Sequence, residues 1–196
     1  MNQRQLIDFP NIRHIFLDRD GVLNRKPPEG QYVTCWAEFV LLPGVETAIA
    51  QLNRSDRKVI VVTNQRGIAR GLYSQDDLAL MHERLQHCLA KHGAHLDAIY
   101  VCPHEEGQCE CRKPRPGLFQ QAFRDFPEAV AEHSLMAGDS LRDIEAAVRL
   151  GMPSVLISSG AERASSEEER AAQLARLSVA SLPELVRLHL CPSDDV

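Results

Sequence analysis

Acidic residues directly follow two short apolar stretches of the sequence, and their carboxylates suggest metal chemistry. The first acidic segment is 18–21 (DRDG) and the second is 138–143 (GDSLRD). An Asp-x-Asp-Gly string alone also forms ordinary turns. Three carboxylates brought together from two strand ends, however, would repel one another unless a hard cation lay between them, and Mg²⁺ suits that position. Asp18, Asp20 and Asp139 are therefore candidate Mg²⁺ ligands.

Asp143 follows Asp139 by about one helical turn, and two interpretations of it stay open. It could support the metal site from behind the ligands. It could equally be an acid at a helix N-terminus, where the helix dipole stabilises negative charge.

Two further polar segments could hold an anionic group. Thr63-Asn64-Gln65 ends a near-continuous apolar run, and its hydroxyl and backbone N–H groups could bind phosphate oxygens. Arg112-Lys113 could neutralise a phosphoryl group, because Arg binds it bidentately and Lys acts as a point charge. The candidate substrate-binding residues are Asn64, Gln65, Arg66 and Arg112.

Three of the six cysteines lie within ten residues, close to a histidine. Such a Cys₃His set is typical of a closed, tetrahedral, structural Zn²⁺ site, and four protein ligands leave no open position for catalysis. Because the cluster runs directly into Arg112-Lys113, metal binding would also order the two cations. The candidate Zn²⁺ ligands are Cys102, His104, Cys109 and Cys111.

These residues must be positioned by regular secondary structure. Along the sequence, short β-branched runs alternate with longer helical patterns, which predicts βαβ units on a parallel sheet. Segment 24–42 reads as loops, with a possible hairpin, and is too short for a helical cap domain. The expected strands are 12–17, 58–63, 97–101, 134–137 and 153–157, and the expected helices are 43–53, 74–91, 117–126, 142–150, 165–176 and 182–188.

Length and composition restrict the possible functions. The 196 residues suit a single domain, 1–196, and the net charge of -5 with 5% aromatic residues disfavours a nucleic-acid-binding face. No apolar run approaches a membrane span, and the N-terminal segment lacks the features of a signal peptide. We therefore expect a cytoplasmic protein without membrane or nucleic-acid partners. A monomer is plausible, although the sequence leaves the oligomeric state open.

The four motifs DRDG, TNQ, RKP and GDSLRD, in that order, resemble those of the haloacid dehalogenase (HAD) superfamily of phosphatases. The resemblance extends from about Ile12 to Ile157, and it departs from the usual pattern at Val22, where Thr is common. It implies a Rossmann-like fold and a Mg²⁺-dependent phosphatase that forms an aspartyl-phosphate and acts on a small phosphorylated metabolite.

The resemblance also implies a role for each matching residue. Asp18 would be the nucleophile, and Asp20 would protonate the leaving group and then activate water. Thr63 and Lys113 would stabilise the transferring phosphoryl group. Asp139 would complete the Mg²⁺ site with Asp18 and the Asp20 backbone carbonyl.

The cysteine loop followed by Arg-Lys-Pro is similar to the branch that contains heptose-bisphosphate and histidinol-phosphate phosphatases. Segment 63–71 (TNQRGIARG) favours the heptose enzymes, whereas the four residues between His104 and Cys109 favour the histidinol-phosphate type. A zinc-stabilised module without catalysis and a phosphatase acting on polynucleotide ends are the remaining alternatives.

Overall fold

The computed structural model describes residues 7–158 and 165–191. One sheet of six parallel strands, in the order β3-β2-β1-β4-β5-β6, forms its centre. The strands are β1 (His14–Leu17), β2 (Lys58–Asn64), β3 (Ala98–Cys102), β4 (Ser134–Gly138), β5 (Ser154–Ile157) and β6 (Leu177–Val179). The predicted parallel α/β architecture is thereby confirmed. Residues 1–6, part of the segment in which no signal peptide was expected, lie outside the described residues.

Helices cover both faces of the sheet, which explains why its central strands are apolar throughout. Along β1, Ile15 and Leu17 face one core while Phe16 faces the other, because side chains alternate across a strand. The helices are α1 (Val45–Arg54), α2 (Gln75–Ala90), α3 (Gly117–Asp125), α4 (Leu141–Arg149), α5 (Ser166–Leu174) and α6 (Leu182–Leu185), the last continuing as a π-helical turn to Leu190. Helices α1, α2 and α6 pack on one face, and α3 and α4 on the other.

Local sequence signals explain where two of these helices begin. Ser74 accepts a hydrogen bond from the Asp77 backbone N–H at 3.0 Å, and Asp77 accepts one from the Ser74 N–H at 2.9 Å. At the start of α4, Asp143 likewise accepts a hydrogen bond from the Ser140 N–H, at 3.1 Å. Both caps satisfy backbone N–H groups that a helix N-terminus leaves unpaired. The second cap also fixes Asp143 beside the acidic residues at the end of β4.

The structure differs from the sequence-based expectations in two elements. A sixth strand, β6, pairs with β5, although residues 177–179 carry no continuous apolar run. Within segment 24–42, the expected hairpin reduces to one isolated antiparallel bridge between Asn24 and Leu41, together with a 3₁₀ turn at Trp36–Glu38. Segment 24–42 therefore forms no folded cap domain. Within the part of the chain that the structure describes, no helix combines the length and apolar character needed to cross a bilayer.

Candidate active site

The acidic segments meet where the strand order reverses. Strands β1 and β4 are neighbours, and their connections leave in opposite directions across the sheet. A crevice opens at the carboxyl ends of such a strand pair, which is where open α/β sheets bind ligands. The Asp18 backbone N–H donates to the Ala137 carbonyl at 3.1 Å, so the first Asp lies beside the end of β4. The cleft there has a volume of about 220 Å³.

Three carboxylates converge in this cleft. Asp18, Asp139 and Asp143 each offer an oxygen, and these atoms lie within 4.8 Å of one another. Burial, together with the neighbouring acids, raises the pKa of Asp18 to about 7 and that of Asp139 to about 6. The ionised form of both carboxyl groups is therefore unfavourable, and a divalent cation would relieve the repulsion between them. The oxygen donors suit Mg²⁺, with Asp18 and Asp139 as candidate ligands.

Lys113 provides the buried positive charge of the cluster. Its ammonium group contacts Asp18 at 2.8 Å and Asp143 at 2.6 Å, and it donates to the Val62 carbonyl at 2.7 Å. Burial opposes its charge, but Asp143 and Asp18 outweigh that effect and raise the pKa of Lys113. Lys113 therefore stays protonated beside the candidate nucleophile.

The Asn64 side chain holds the backbone of Lys113 in place. Its Nδ2 donates to the Lys113 carbonyl at 3.1 Å, and its Oδ1 accepts from the Lys113 N–H at 3.0 Å. Asn64 had been a candidate substrate ligand on the sequence alone. Here both of its amide atoms orient the residue that carries the buried charge.

Asp143 both caps the first turn of α4 and contacts the buried charge of the site. Its Oδ2 accepts from the Ser140 hydroxyl at 2.6 Å and the Ser140 N–H at 3.1 Å, as an N-terminal helix cap does. Its Oδ1 contacts Lys113, and its side chain is fully buried. One carboxylate thus starts helix α4 and supports the charge arrangement of the site.

The Asp20 carboxylate lies apart from the three-carboxylate cluster and is held by its own partners. Oδ1 accepts from Asn24 Nδ2 at 2.8 Å, and Oδ2 accepts from Gln65 Nε2 at 3.1 Å. Arg19 donates to both oxygens, at 2.9 and 3.0 Å. Gly21 permits this arrangement, because it has φ of +90° and a Cβ there would collide with the Asp139 carboxylate.

Thr63 and Gln65 form a buried pair behind Asp20. The Gln65 side chain donates to Thr63 Oγ1 at 2.9 Å and accepts a hydrogen bond from the Tyr73 hydroxyl at 2.6 Å. Its amide group is therefore fully engaged within the protein. Thr63 is itself only 1% exposed at the end of β2.

Cationic side chains line the outer part of the cleft. Lys26 forms an ion pair with Asp139 at 2.7 Å. Arg66 donates to the Tyr32 hydroxyl at 2.9 Å, and Arg112, which is 8% exposed, donates to the His104 carbonyl at 3.3 Å. All three cations reach the same cleft and could contact an anionic ligand.

The cysteine loop brings its four candidate ligands together. Cys102 Sγ lies 3.5 Å from Cys109 Sγ, Cys111 Sγ lies 3.2 Å from Cys109 Sγ, and His104 Nδ1 lies 3.3 Å from Cys111 Sγ. Tetrahedral Zn²⁺ with S–Zn bonds of about 2.3 Å needs ligand atoms about 3.8 Å apart, so a small adjustment accommodates the ion. Burial raises the pKa of Cys102, and a bound cation would hold its sulfur as the thiolate.

Several residues of the site were missed by sequence reasoning. Arg19, Asn24 and Tyr73 contact Asp20 or Gln65. Arg19 lies inside the DRDG motif, so its position was a usable signal. Asn24 and Tyr73 contact partners four and eight residues away within irregular segments, where no periodic pattern marks the contact.

The fold and the acidic crevice define the class of this protein, and comparison with known proteins identifies its family. Residues 110–185 match the HAD-hydrolase-like family model. The chain is 45% identical over 134 residues to the D-glycero-alpha-D-manno-heptose-1,7-bisphosphate 7-phosphatase of Mycobacterium bovis, covering 68% of this chain and 70% of the relative. It is 39% identical over 150 residues to the corresponding beta enzyme of Bordetella bronchiseptica, covering 76% and 82%.

A solved structure agrees with these sequence relatives. The D,D-heptose 1,7-bisphosphate phosphatase from B. bronchiseptica, complexed with magnesium and phosphate, superposes with a TM-score of 0.78 at 33% identity. The match covers 90% of this chain and 97% of that one. This chain belongs to the HAD family of phosphatases.

Proposed function

We propose that this protein is a Mg²⁺-dependent phosphatase that removes the 7-phosphate of a D-glycero-D-manno-heptose 1,7-bisphosphate. The reaction is inferred from one observation. Buried Lys113 contacts Asp18 beside two further carboxylates, at the carboxyl ends of β1 and β4. The substrate is inferred from the relatives, which are named as 7-phosphatases of this bisphosphate.

Asp18 is the proposed nucleophile. One of its carboxylate oxygens forms a bond to phosphorus while the bond from phosphorus to the sugar oxygen breaks, which leaves an aspartyl-phosphate and an alkoxide. Asp20 gives its proton to that alkoxide. In the second half, Asp20 takes a proton from water, the water oxygen attacks phosphorus, and the bond to Asp18 breaks with release of inorganic phosphate.

The surrounding residues position the phosphoryl group and balance its charge. Lys113 and Thr63 are the proposed contacts to its oxygens, and Mg²⁺ held by Asp18, Asp139 and the Asp20 backbone carbonyl would supply further positive charge. Phosphoryl transfer depends mainly on positioning and electrostatic stabilisation, which is what this group of side chains offers. Arg66 and Arg112, at the outer part of the cleft, are proposed contacts to the rest of the substrate.

The proposed role of the cysteine loop is structural. Zn²⁺ bound by Cys102, His104, Cys109 and Cys111 would hold a loop that ends two residues before Lys113. The loop would thereby keep Lys113 at Asp18 without contacting phosphorus. We further propose that the chain acts as one domain in the cytoplasm, on a small metabolite.

Histidinol phosphate is the second candidate substrate, because only four residues separate His104 from Cys109. The two substrates differ in charge, since the heptose compound carries a second phosphate. Several cations line the outer cleft, including Arg66, Arg112 and Lys26, and this favours the bisphosphate.

The test is phosphate release in the presence of Mg²⁺ from both anomers of heptose 1,7-bisphosphate, histidinol phosphate, other sugar phosphates and a 3′-phosphorylated oligonucleotide. We expect preference for a heptose bisphosphate and loss of turnover with EDTA. Asp18→Asn should abolish turnover while the protein stays folded. Activity of Asp18→Asn near that of the wild type would refute the nucleophile assignment. Preference for histidinol phosphate or for the oligonucleotide would refute the substrate, and a protein inactive on every compound would favour a non-catalytic module.

A further inference from the structure

Tyr73 lies outside the cleft but contacts Gln65, one of the residues that hold Asp20. It follows the turn after β2 and precedes α2, and it is 7% exposed. Its hydroxyl donates to Gln65 Oε1 at 2.6 Å. Burial raises the pKa of Tyr73 to about 12, so the hydroxyl keeps its proton near neutral pH.

The Asp20 carboxylate and the Tyr73 hydroxyl together fix which way the Gln65 amide points, because they bind its two ends. A carboxamide oxygen only accepts hydrogen bonds and its nitrogen only donates them. With Oε1 facing Tyr73, Nε2 must face Asp20 Oδ2 at 3.1 Å and Thr63 Oγ1 at 2.9 Å. If the amide rotated by half a turn, its oxygen would face the Asp20 carboxylate and repel it.

Gly67 allows the aromatic ring to approach. A Cβ at this position would collide with the Tyr73 ring, whereas glycine leaves the necessary space. The turn therefore combines a residue without a side chain, a buried tyrosine and a buried glutamine. Their arrangement connects the start of α2 to the carboxyl end of β1.

We propose that Tyr73 is a positioning residue for the reaction: through Gln65, it orients the Asp20 carboxyl group for proton transfer. This inference rests on the proposed function, in which Asp20 protonates the leaving alkoxide. Asn24 and Arg19 hold Asp20 from its other sides, so loss of the Tyr73 hydroxyl should misalign the acid without displacing it. General acid–base catalysis contributes roughly 100- to 10,000-fold to rates, and misalignment should forfeit part of this factor.

The leaving group provides a readout that a merely structural role would not change. A sugar alkoxide is strongly basic and needs a proton from Asp20, whereas p-nitrophenolate is a stable anion and leaves without one. Because kcat/KM reports the steps up to formation of the aspartyl-phosphate, it isolates this proton transfer from the later attack of water. Tyr73→Phe should therefore lower kcat/KM about tenfold for heptose 1,7-bisphosphate and less than about twofold for p-nitrophenyl phosphate.

The chain offers a matched control in Tyr100. It is also 7% exposed, and its hydroxyl donates to Asp125 at 2.8 Å, away from the cleft. Tyr100→Phe also removes one tyrosine hydrogen bond, here to the carboxylate of the exposed Asp125, so it should lower the melting temperature while kcat/KM for both substrates stays unchanged. Gly67→Ala, which displaces the Tyr73 ring, should reproduce the substrate-dependent loss.

The outcomes separate this inference from the proposed function. If the wild-type protein hydrolysed neither compound, the proposed function would fail and this inference with it. If the wild-type protein hydrolysed both, and Tyr73→Phe lost the same factor on both or behaved like Tyr100→Phe, only the positioning role would be refuted.

Discussion

Replacing Lys113 by Met is the most informative perturbation of the candidate site. Met keeps an unbranched chain of similar length but removes the ammonium group. In the wild type this group contacts Asp18 at 2.8 Å, Asp143 at 2.6 Å and the Val62 carbonyl at 2.7 Å. The variant therefore leaves two carboxylates and one carbonyl without their shared cation.

The contacts allow the size of the effect to be stated. Removing one partner of a buried ion pair costs about 3–5 kcal/mol of folding free energy, because the remaining charge stays buried without compensation. Losing one electrostatic contact to a transition state costs roughly 100- to 1,000-fold in kcat. We expect both losses in Lys113→Met, and Mg²⁺ should recover part of the stability by compensating the carboxylates.

The assay compares phosphate release and thermal unfolding, with and without Mg²⁺. Lys58→Met is the matched control, because Lys58 pairs with Asp97 at 2.9 Å but is 47% exposed. Water screens the half-exposed Lys58 ammonium group, and neither residue lines the cleft, so this control should keep its activity and most of its stability. If folded Lys113→Met retained kcat within about threefold of the wild type, our reasoning about the buried charge would be wrong.

Three further perturbations test other parts of the structure. Cys109→Ser should lower the zinc content, measured by elemental analysis, and the melting temperature, because metal binding and folding are coupled; unchanged zinc would contradict the ligand set. Lys26→Met should tighten Mg²⁺ binding about three- to tenfold, measured by calorimetry, because Lys26 competes with the metal for Asp139. The control Arg25→Met removes an exposed cation from the same loop and should leave Mg²⁺ binding unchanged. Burial lowers the pKa of His82 to about 4. In the unfolded chain the pKa returns to its ordinary value of 6.5, so between these two pH values unfolding is accompanied by uptake of a proton. From pH 7 to pH 5 the linkage of His82 alone should remove about 2 kcal/mol of stability. Denaturant titrations of the wild type and of His82→Leu should therefore differ by about that amount in their change of stability between the two pH values.

The sequence was sufficient for features whose determinants are local. The central strands were identified because they are continuous apolar runs, and α2 began where its Ser74 cap predicted. The cysteine cluster was recognisable because its members lie within ten residues, so a short loop brings them together. Strand β6 was missed because it has three residues, and only one of them is buried.

The tertiary structure alone decided how distant segments combine around the cleft. The sequence indicated acids at two strand ends, but only the strand order makes β1 and β4 neighbours and brings Asp139 to Asp18. Asn64 reaches Lys113 across 49 positions and Gln65 reaches Asp20 across 45. Such contacts depend on how the helices pack against the sheet, and this packing cannot be read from local sequence patterns. Local patterns therefore identified the candidate chemistry, while packing decided which side chains reach the cleft and which orient their neighbours.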